Sequence, residues 1–157
     1  MLLKFWGTRG SIAAPGPSTV RYGGNTSCYE VRLRNNTVII VDAGTGIRAL
    51  GLELVKAGPV EVHVFITHTH WDHIQGLPFF VPLFVPGSKV TFYGTFDPVY
   101  RRSLADILKA QMEYCYFPVR EAELKADIHY QTLRDGEQVE VGGALVRAVL
   151  MLSLIHI

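Results

Sequence analysis

The order of strand-like, helical and turn segments along this chain predicts an α/β or α+β sandwich with helices on the outside. Short alternating or β-branched segments recur at 1–6, 27–34, 37–41, 60–66, 89–93, 128–133, 138–141 and 144–149. Helically spaced segments at 44–57 and 98–112 fall between them. The chain has 157 residues, 48% hydrophobic and 18% charged, which is enough for one sizeable core and is the length of one common domain.

Each element has a local reason. The apolar opening 1–6 reads as a strand and gives way to 7–25, a long loop rich in Gly, Pro, Ser and Thr. In 27–34, Cys28, Glu30 and Arg32 alternate with Tyr29, Val31 and Leu33, the period of a half-buried strand. Asn35-Asn36 turns that strand into the β-branched 37–41. Ile47, Leu50, Leu52, Leu54 and Val55 give 44–57 a roughly helical pattern, which Gly58-Pro59 ends. Between 98 and 112, Tyr100, Leu104, Ile107, Leu108 and Met112 share one side of an expected helix. Asp135-Gly136 and Gly142-Gly143 are turn signals among the last strands.

Composition narrows the function. A net charge of +1 argues against a strongly basic nucleic-acid binder, whose affinity comes largely from neutralising phosphates, without excluding a local basic patch. Cys28 and Cys115 make no disulfide framework, and both are expected as reduced thiols, Cys115 as a packed one. The opening apolar run is too short for a signal peptide, and Pro78 and Pro82 interrupt the apolar stretch 77–85. No stretch approaches the roughly 20 apolar residues of a membrane span. The expectation is a soluble, cytoplasmic protein with no membrane partner; a homo-oligomer is left open.

The end of the chain carries its own expectation. The sequence stops at Leu152-Ser153-Leu154-Ile155-His156-Ile157 directly after a strand-like segment. That hexapeptide is the in-frame translation of CTG TCT CTT ATA CAC ATC, the end of a transposon-based sequencing adapter. Residues 152–157 are therefore expected to be adapter read-through, with 1–151 the N-terminal part of one domain that continues beyond Met151.

The chemistry concentrates in Thr67-His68-Thr69-His70-Trp71-Asp72-His73, directly after the strand-like 60–66. Sites of α/β folds gather at such carboxyl ends of strands. Two residues apart in extended backbone, His68 and His70 point to one side. Asp72 and His73 fall on the turn into a following helix and can face a second point. Imidazole and carboxylate are ligands for zinc, manganese and iron, and this set can seat two adjacent cations with two ligands each. A solvated polar loop with incidental histidines is the plainer alternative, and four ligand types at this spacing speak against it.

This run resembles the His-x-His-x-Asp-His hallmark of the metallo-β-lactamase fold hydrolases. Val41-Asp42-Ala43-Gly44-Thr45-Gly46 resembles their upstream motif, in which an aspartate ending a strand supports the site; for Asp42 the alternative is a turn or N-cap role. Gly7-Thr8-Arg9-Gly10-Ser11, Arg21-Tyr22-Gly23-Gly24-Asn25-Thr26-Ser27 and Gly76-Leu77-Pro78 look like a branch close to ribonuclease Z-like and cyclic-phosphodiesterase-like members. The resemblance covers residues 2 to 150. It implies an αββα sandwich, here C-terminally truncated, with two divalent ions, zinc above all, with manganese or iron as alternatives. His68 and His70 would hold the first ion, and Asp72 and His73 the second.

The family completes its site with two further histidines and a bridging aspartate from downstream segments. His129 lies in an alternating strand pattern, as does His63, and His156 falls in the suspected adapter, so the chain is expected to hold half a site. The resemblance implies hydrolysis of a phosphodiester, a cyclic nucleotide or an RNA end, by a metal-bound hydroxide, with Asp72 also orienting the nucleophile. The alternatives are a thioester or lactam hydrolase of the same fold and a non-catalytic metal-binding or sensory module. Arg9 and Ser11 are candidates to approach a phosphate through a guanidinium and backbone N–H groups, or else form a structural turn. Asn25 lines the site or only forms a turn. The insertion 95–120, with Tyr100, Arg101, Arg102, Tyr114, Tyr116 and Phe117, either walls the substrate entrance or packs Tyr100, Leu104 and Leu108 as a core helix.

Overall fold

A computed structural model describes residues 1–151. The hexapeptide 152–157, and with it His156 and the read-through expectation, lies outside the described residues. The elements in chain order are β1 (Leu2–Gly7), β2 (Cys28–Arg32), β3 (Val38–Val41), α1 (Gly46–Leu54), β4 (Glu61–Phe65), α2 (Trp71–Ile74), β5 (Lys89–Gly94), α3 (Leu104–Ala110), β6 (Asp127–Thr132), β7 (Gln138–Val141) and β8 (Ala144–Arg147). Strands β1 to β6 form one sheet in sequential order, and β7 and β8 form a second, two-stranded one. The pairs β1–β2 and β2–β3 are antiparallel, whereas β3–β4, β4–β5 and β5–β6 are parallel. The parallel part has helical crossovers, and their connecting segments gather at the carboxyl ends of β3, β4 and β5.

The strand period divides the sheet's residues between two cores. Val38, Ile40, Val62, Val64, Val90 and Phe92 face the helices, where they pack with Ile47, Leu50, Phe80, Leu104 and Leu108. The alternate residues Ile39, Phe65 and Tyr93 face the other way and join Leu133 and Val141 in a smaller cluster under β7–β8. This is a mixed sheet with helices on one face and the start of a second sheet on the other. The turn joining β7 to β8 has Gly142 at φ 57° and Gly143 at φ 81°, the left-handed pair that a tight two-residue hairpin requires.

One strand face is now defined, and the expectations for the helix over 98–112 and for Cys115 change. Strand β2 buries its more polar side: Cys28 and Glu30 face the helices, and the Glu30 carboxylate accepts from Trp6 Nε1 at 2.9 Å and Arg32 Nη2 at 2.7 Å. Those bonds make a buried carboxylate tolerable. The helix expected over 98–112 is confined to α3. Arg101 takes a left-handed φ of 54°, and Ser103 starts the helix in a capping box with Asp106. Tyr100 is consequently exposed rather than packed in the core, and Cys115 is exposed too. No helix among the described residues is long and apolar enough to cross a membrane.

Candidate metal centre

The histidine loop leaves β4 beside the segment that leaves β3. Asp42 N donates to Phe65 O at 2.8 Å, setting the Asp42 side chain next to Thr67. Asp42 has φ 63°, a conformation that Asp adopts at less cost than most residues. Two glycines allow the loop to lie directly on this turn. A Cβ on Gly44 would sit 2.3 Å from Asp72 O, and one on Gly76 would sit 2.1 Å from Gly44 O. Side chains at either position would push the segments apart. With glycine there, Ala43 N donates to His73 O at 2.7 Å and Gly76 N donates to Ala43 O at 2.9 Å.

Asp42 is buried and fully engaged. Its Oδ1 accepts from Thr67 N at 2.9 Å and Thr67 Oγ1 at 2.8 Å; its Oδ2 accepts from Ser27 Oγ at 2.9 Å and meets His73 Nδ1 at 2.6 Å. The carboxylate raises the His73 pKa above the ordinary histidine value, against the opposing effect of burial. With Nδ1 bonded to Asp42, His73 turns Nε2 the other way, to 3.6 Å from Asp72 Oδ2. Asp72 Oδ2 also accepts from Ser11 N at 2.8 Å. Burial works to raise the Asp72 pKa, but the Ser11 N–H and His73 outweigh it and the net direction is down.

His70 is the extended residue that caps α2, and its ring lies 4.6 Å from that of His68, centroid to centroid. The rings of His68 and His73 are 4.0 Å apart. Burial first, then the neighbouring His73 and His70, push the His68 pKa down, which leaves a neutral imidazole with a lone pair to donate. The loop thus gathers three imidazoles and a carboxylate. Among the described residues no group of three or more His, Cys, Asp or Glu side chains is placed to hold one ion. The donors fit a borderline divalent cation in kind and come in pairs rather than as a closed set.

The other candidates are placed differently. Ser11 reaches the loop through its backbone N–H, not its hydroxyl. Arg9 Nε donates to Ile12 O at 2.8 Å and braces its own loop. Asn25 Oδ1 accepts from Thr45 Oγ1 at 3.2 Å. His63 lies in β4 with Nδ1 3.0 Å from the Tyr93 hydroxyl, and His129 lies in β6 beside Asp127. Sequence reasoning missed Ser27 and Thr67, whose hydroxyls fix Asp42. Both lie within motifs quoted above, but they stand 15 and 25 residues from Asp42 and nothing in the sequence pairs them with it.

Residues 21–90 match the Metallo-beta-lactamase superfamily. The chain is 27% identical over 133 residues to a ribonuclease Z of Staphylococcus carnosus, covering 83% of this chain and 42% of that protein. A ribonuclease Z of Methanosarcina acetivorans is 28% identical over 154 residues, covering 94% of this chain and 43% of the relative. The chain therefore spans less than half the length of these curated relatives. Two crystal structures share its fold. A diphosphatase from the PhnP family superposes with a TM-score of 0.58 at 20% identity, over 91% of this chain and 54% of that one. Zn(2+)-bound PqqB from Methylobacterium extorquens gives 0.52 at 21% identity, over 88% and 51%.

Proposed function

We propose that the protein is a metal-dependent hydrolase of phosphodiesters and that residues 1–151 form the N-terminal part of its one metallo-β-lactamase-fold domain. The observation that carries this reading is the chain of contacts from Asp42 through His73 to Asp72, which aims one imidazole nitrogen and one carboxylate oxygen at the same space. His68 and His70 would hold one divalent ion, zinc first among the candidates, and Asp72 and His73 a second. Bound there, such ions supply an acidified water and take up the charge that develops on a phosphoryl group.

The protein's own residues do the positioning. Asp42 keeps the proton of His73 on Nδ1, leaving Nε2 as the donor atom. Ser27 and Thr67 hold Asp42 in place, and the Ser11 N–H keeps Asp72 ionised and directed at His73. The ribonuclease Z relatives favour a phosphodiester, of RNA or of a nucleotide, over a thioester or lactam.

The test is metal analysis with a bis(p-nitrophenyl)phosphate assay, using His68→Ala as control, on the chain and on the complete gene. For the chain of 157 residues, paired donors predict weak, substoichiometric metal binding and negligible turnover. For the complete protein, stoichiometric metal and turnover abolished by His68→Ala are expected. Full-strength activity from the chain, or none from the complete protein, would overturn the reading.

A further inference from the structure

Trp71 stands between His70 and Asp72 at the first residue of α2, and it is 77% exposed. The two residues that follow it are better covered: the Asp72 and His73 side chains are 16% and 20% exposed. The loop thus presents its largest ring to solvent beside the exposed imidazoles of His68 and His70. Tryptophan is ordinarily well covered, so an indole left bare beside a candidate site is a surface for a planar ligand.

A second observation comes from the neighbouring rim. Because β4 and β5 are parallel, with Phe65 opposite Tyr93 and Ile66 N donating to Tyr93 O at 2.8 Å, the segment after Gly94 emerges beside the histidine loop. It is a built turn. Asp97 Oδ1 accepts from Val99 N at 2.8 Å and Tyr100 N at 3.2 Å, and Asp97 N donates to Arg102 O at 2.9 Å. The turn presents Tyr100, 77% exposed, together with the exposed Arg101 and Arg102. Arg101 is one of four non-glycine residues with positive φ among those described; Asn36 is a hairpin-turn asparagine, and Ser11 and Asp42 hold the candidate site. Left-handed backbone at a large side chain persists where the surroundings over-determine it, and it recurs at ligand clamps.

We propose that Trp71 is a stacking surface for an unpaired nucleobase of a single-stranded nucleic acid, with Arg101 and Arg102 on the adjoining rim facing its phosphates. An indole supplies the planar face and the guanidinium groups the charge, the combination that holds single strands without reading their sequence. The inference deepens the phosphodiesterase reading and rests on it for the orientation of the strand: the base would lie beside the bond presented to the histidine loop.

The test needs no turnover. With a chelator present, pentaadenylate and an abasic pentamer of equal charge are titrated against the chain, following tryptophan fluorescence and the anisotropy of end-labelled strands. Trp6 and Trp71 are the two tryptophans, and Trp6, bonded through Nε1 to Glu30, serves as the internal reference. Pentaadenylate is expected to quench the wild type and the abasic strand to leave it unchanged, with the quench lost in Trp71→Phe. Trp71→Ala is expected to bind pentaadenylate at least about fivefold more weakly, Trp71→Phe to recover most of that loss, and the abasic affinity to stay constant.

Equal binding of the two strands, or unchanged pentaadenylate affinity in Trp71→Ala, would overturn the proposal. Base-dependent binding by the chain, with no phosphodiester turnover by the complete protein, would uphold the stacking surface and remove the hydrolase reading. Turnover of bis(p-nitrophenyl)phosphate by the complete protein, with base-independent binding, would do the reverse.

Discussion

Asp42 concentrates more of the site's geometry than any of the histidines. Four groups from three segments meet on its two oxygens: the Ser27 hydroxyl, the Thr67 amide and hydroxyl, and the His73 ring. Removing the carboxylate leaves all four without this partner, the Ser27 hydroxyl in a buried place and the others part-buried, and an unpartnered buried polar group costs about 1–3 kcal/mol. Asp42→Ala is therefore expected to lower stability by about 3 kcal/mol in urea unfolding of the metal-free chain. Asp42→Asn should cost less, since the amide oxygen still accepts from Thr67. Equal stability of Asp42→Ala and wild type would show that the network carries no folding energy. The sequence marked Asp42 itself because an aspartate at the end of a β-branched run, followed by Gly-Thr-Gly, is a local pattern. Its partners were not legible, because Ser and Thr fill loops everywhere and acquire a role here only when β2, β3 and β4 align.

At the scale of elements, the strands were readable and the third helix only in part. Ile39 and Ile40 are both apolar, yet they serve opposite faces, which is what a central strand covered on both sides requires. The segment before α3 misled because apolar spacing continues back to Tyr100, while the capping box at Ser103 and Asp106 decides where the helix starts. A cap is local chemistry that outweighs the extra turn, since Pro98 and a left-handed Arg101 cannot extend it. Ser103→Ala is expected to destabilise the chain by about 1 kcal/mol and to raise amide exchange selectively in 104–110. The Ser103 side chain and then its backbone N–H hold the Asp106 carboxyl below the usual carboxylate range. A carboxylate with a lowered folded-state pKa stabilises above its unfolded value, about 4, and loses that contribution as pH falls through the folded value. Exchange in 104–110 should accordingly rise at acid pH in the wild type and respond less in Ser103→Ala; identical acid responses would count against the cap.

The molecule as a whole is unevenly supported. The helix-side core spans the full width of the parallel strands, whereas β7 and β8 rest on a cluster built around Ile39, Phe65, Tyr93, Leu133 and Val141. Regions with few buried apolar contacts open first. Val141→Ala is expected to speed amide exchange in β7–β8 while leaving β3, β4 and β5 unchanged, as measured by native-state hydrogen exchange. Uniform acceleration across both sheets would instead mean a single cooperative unit.

The Gly44–Gly76 contact bears on a different question, the order in which this protein acquires its parts. The backbone bonds between Ala43, His73 and Gly76 pin the histidine loop to the turn before α1 using only peptide groups. In small zinc domains the ion is what draws distant ligands together, so affinity and folding share one free energy. Here the ring positions are set by chain against chain, and the two equilibria separate. On the proposed metal-dependent reading, starvation for metal would leave a folded chain rather than an unfolded one, and reloading would require no refolding.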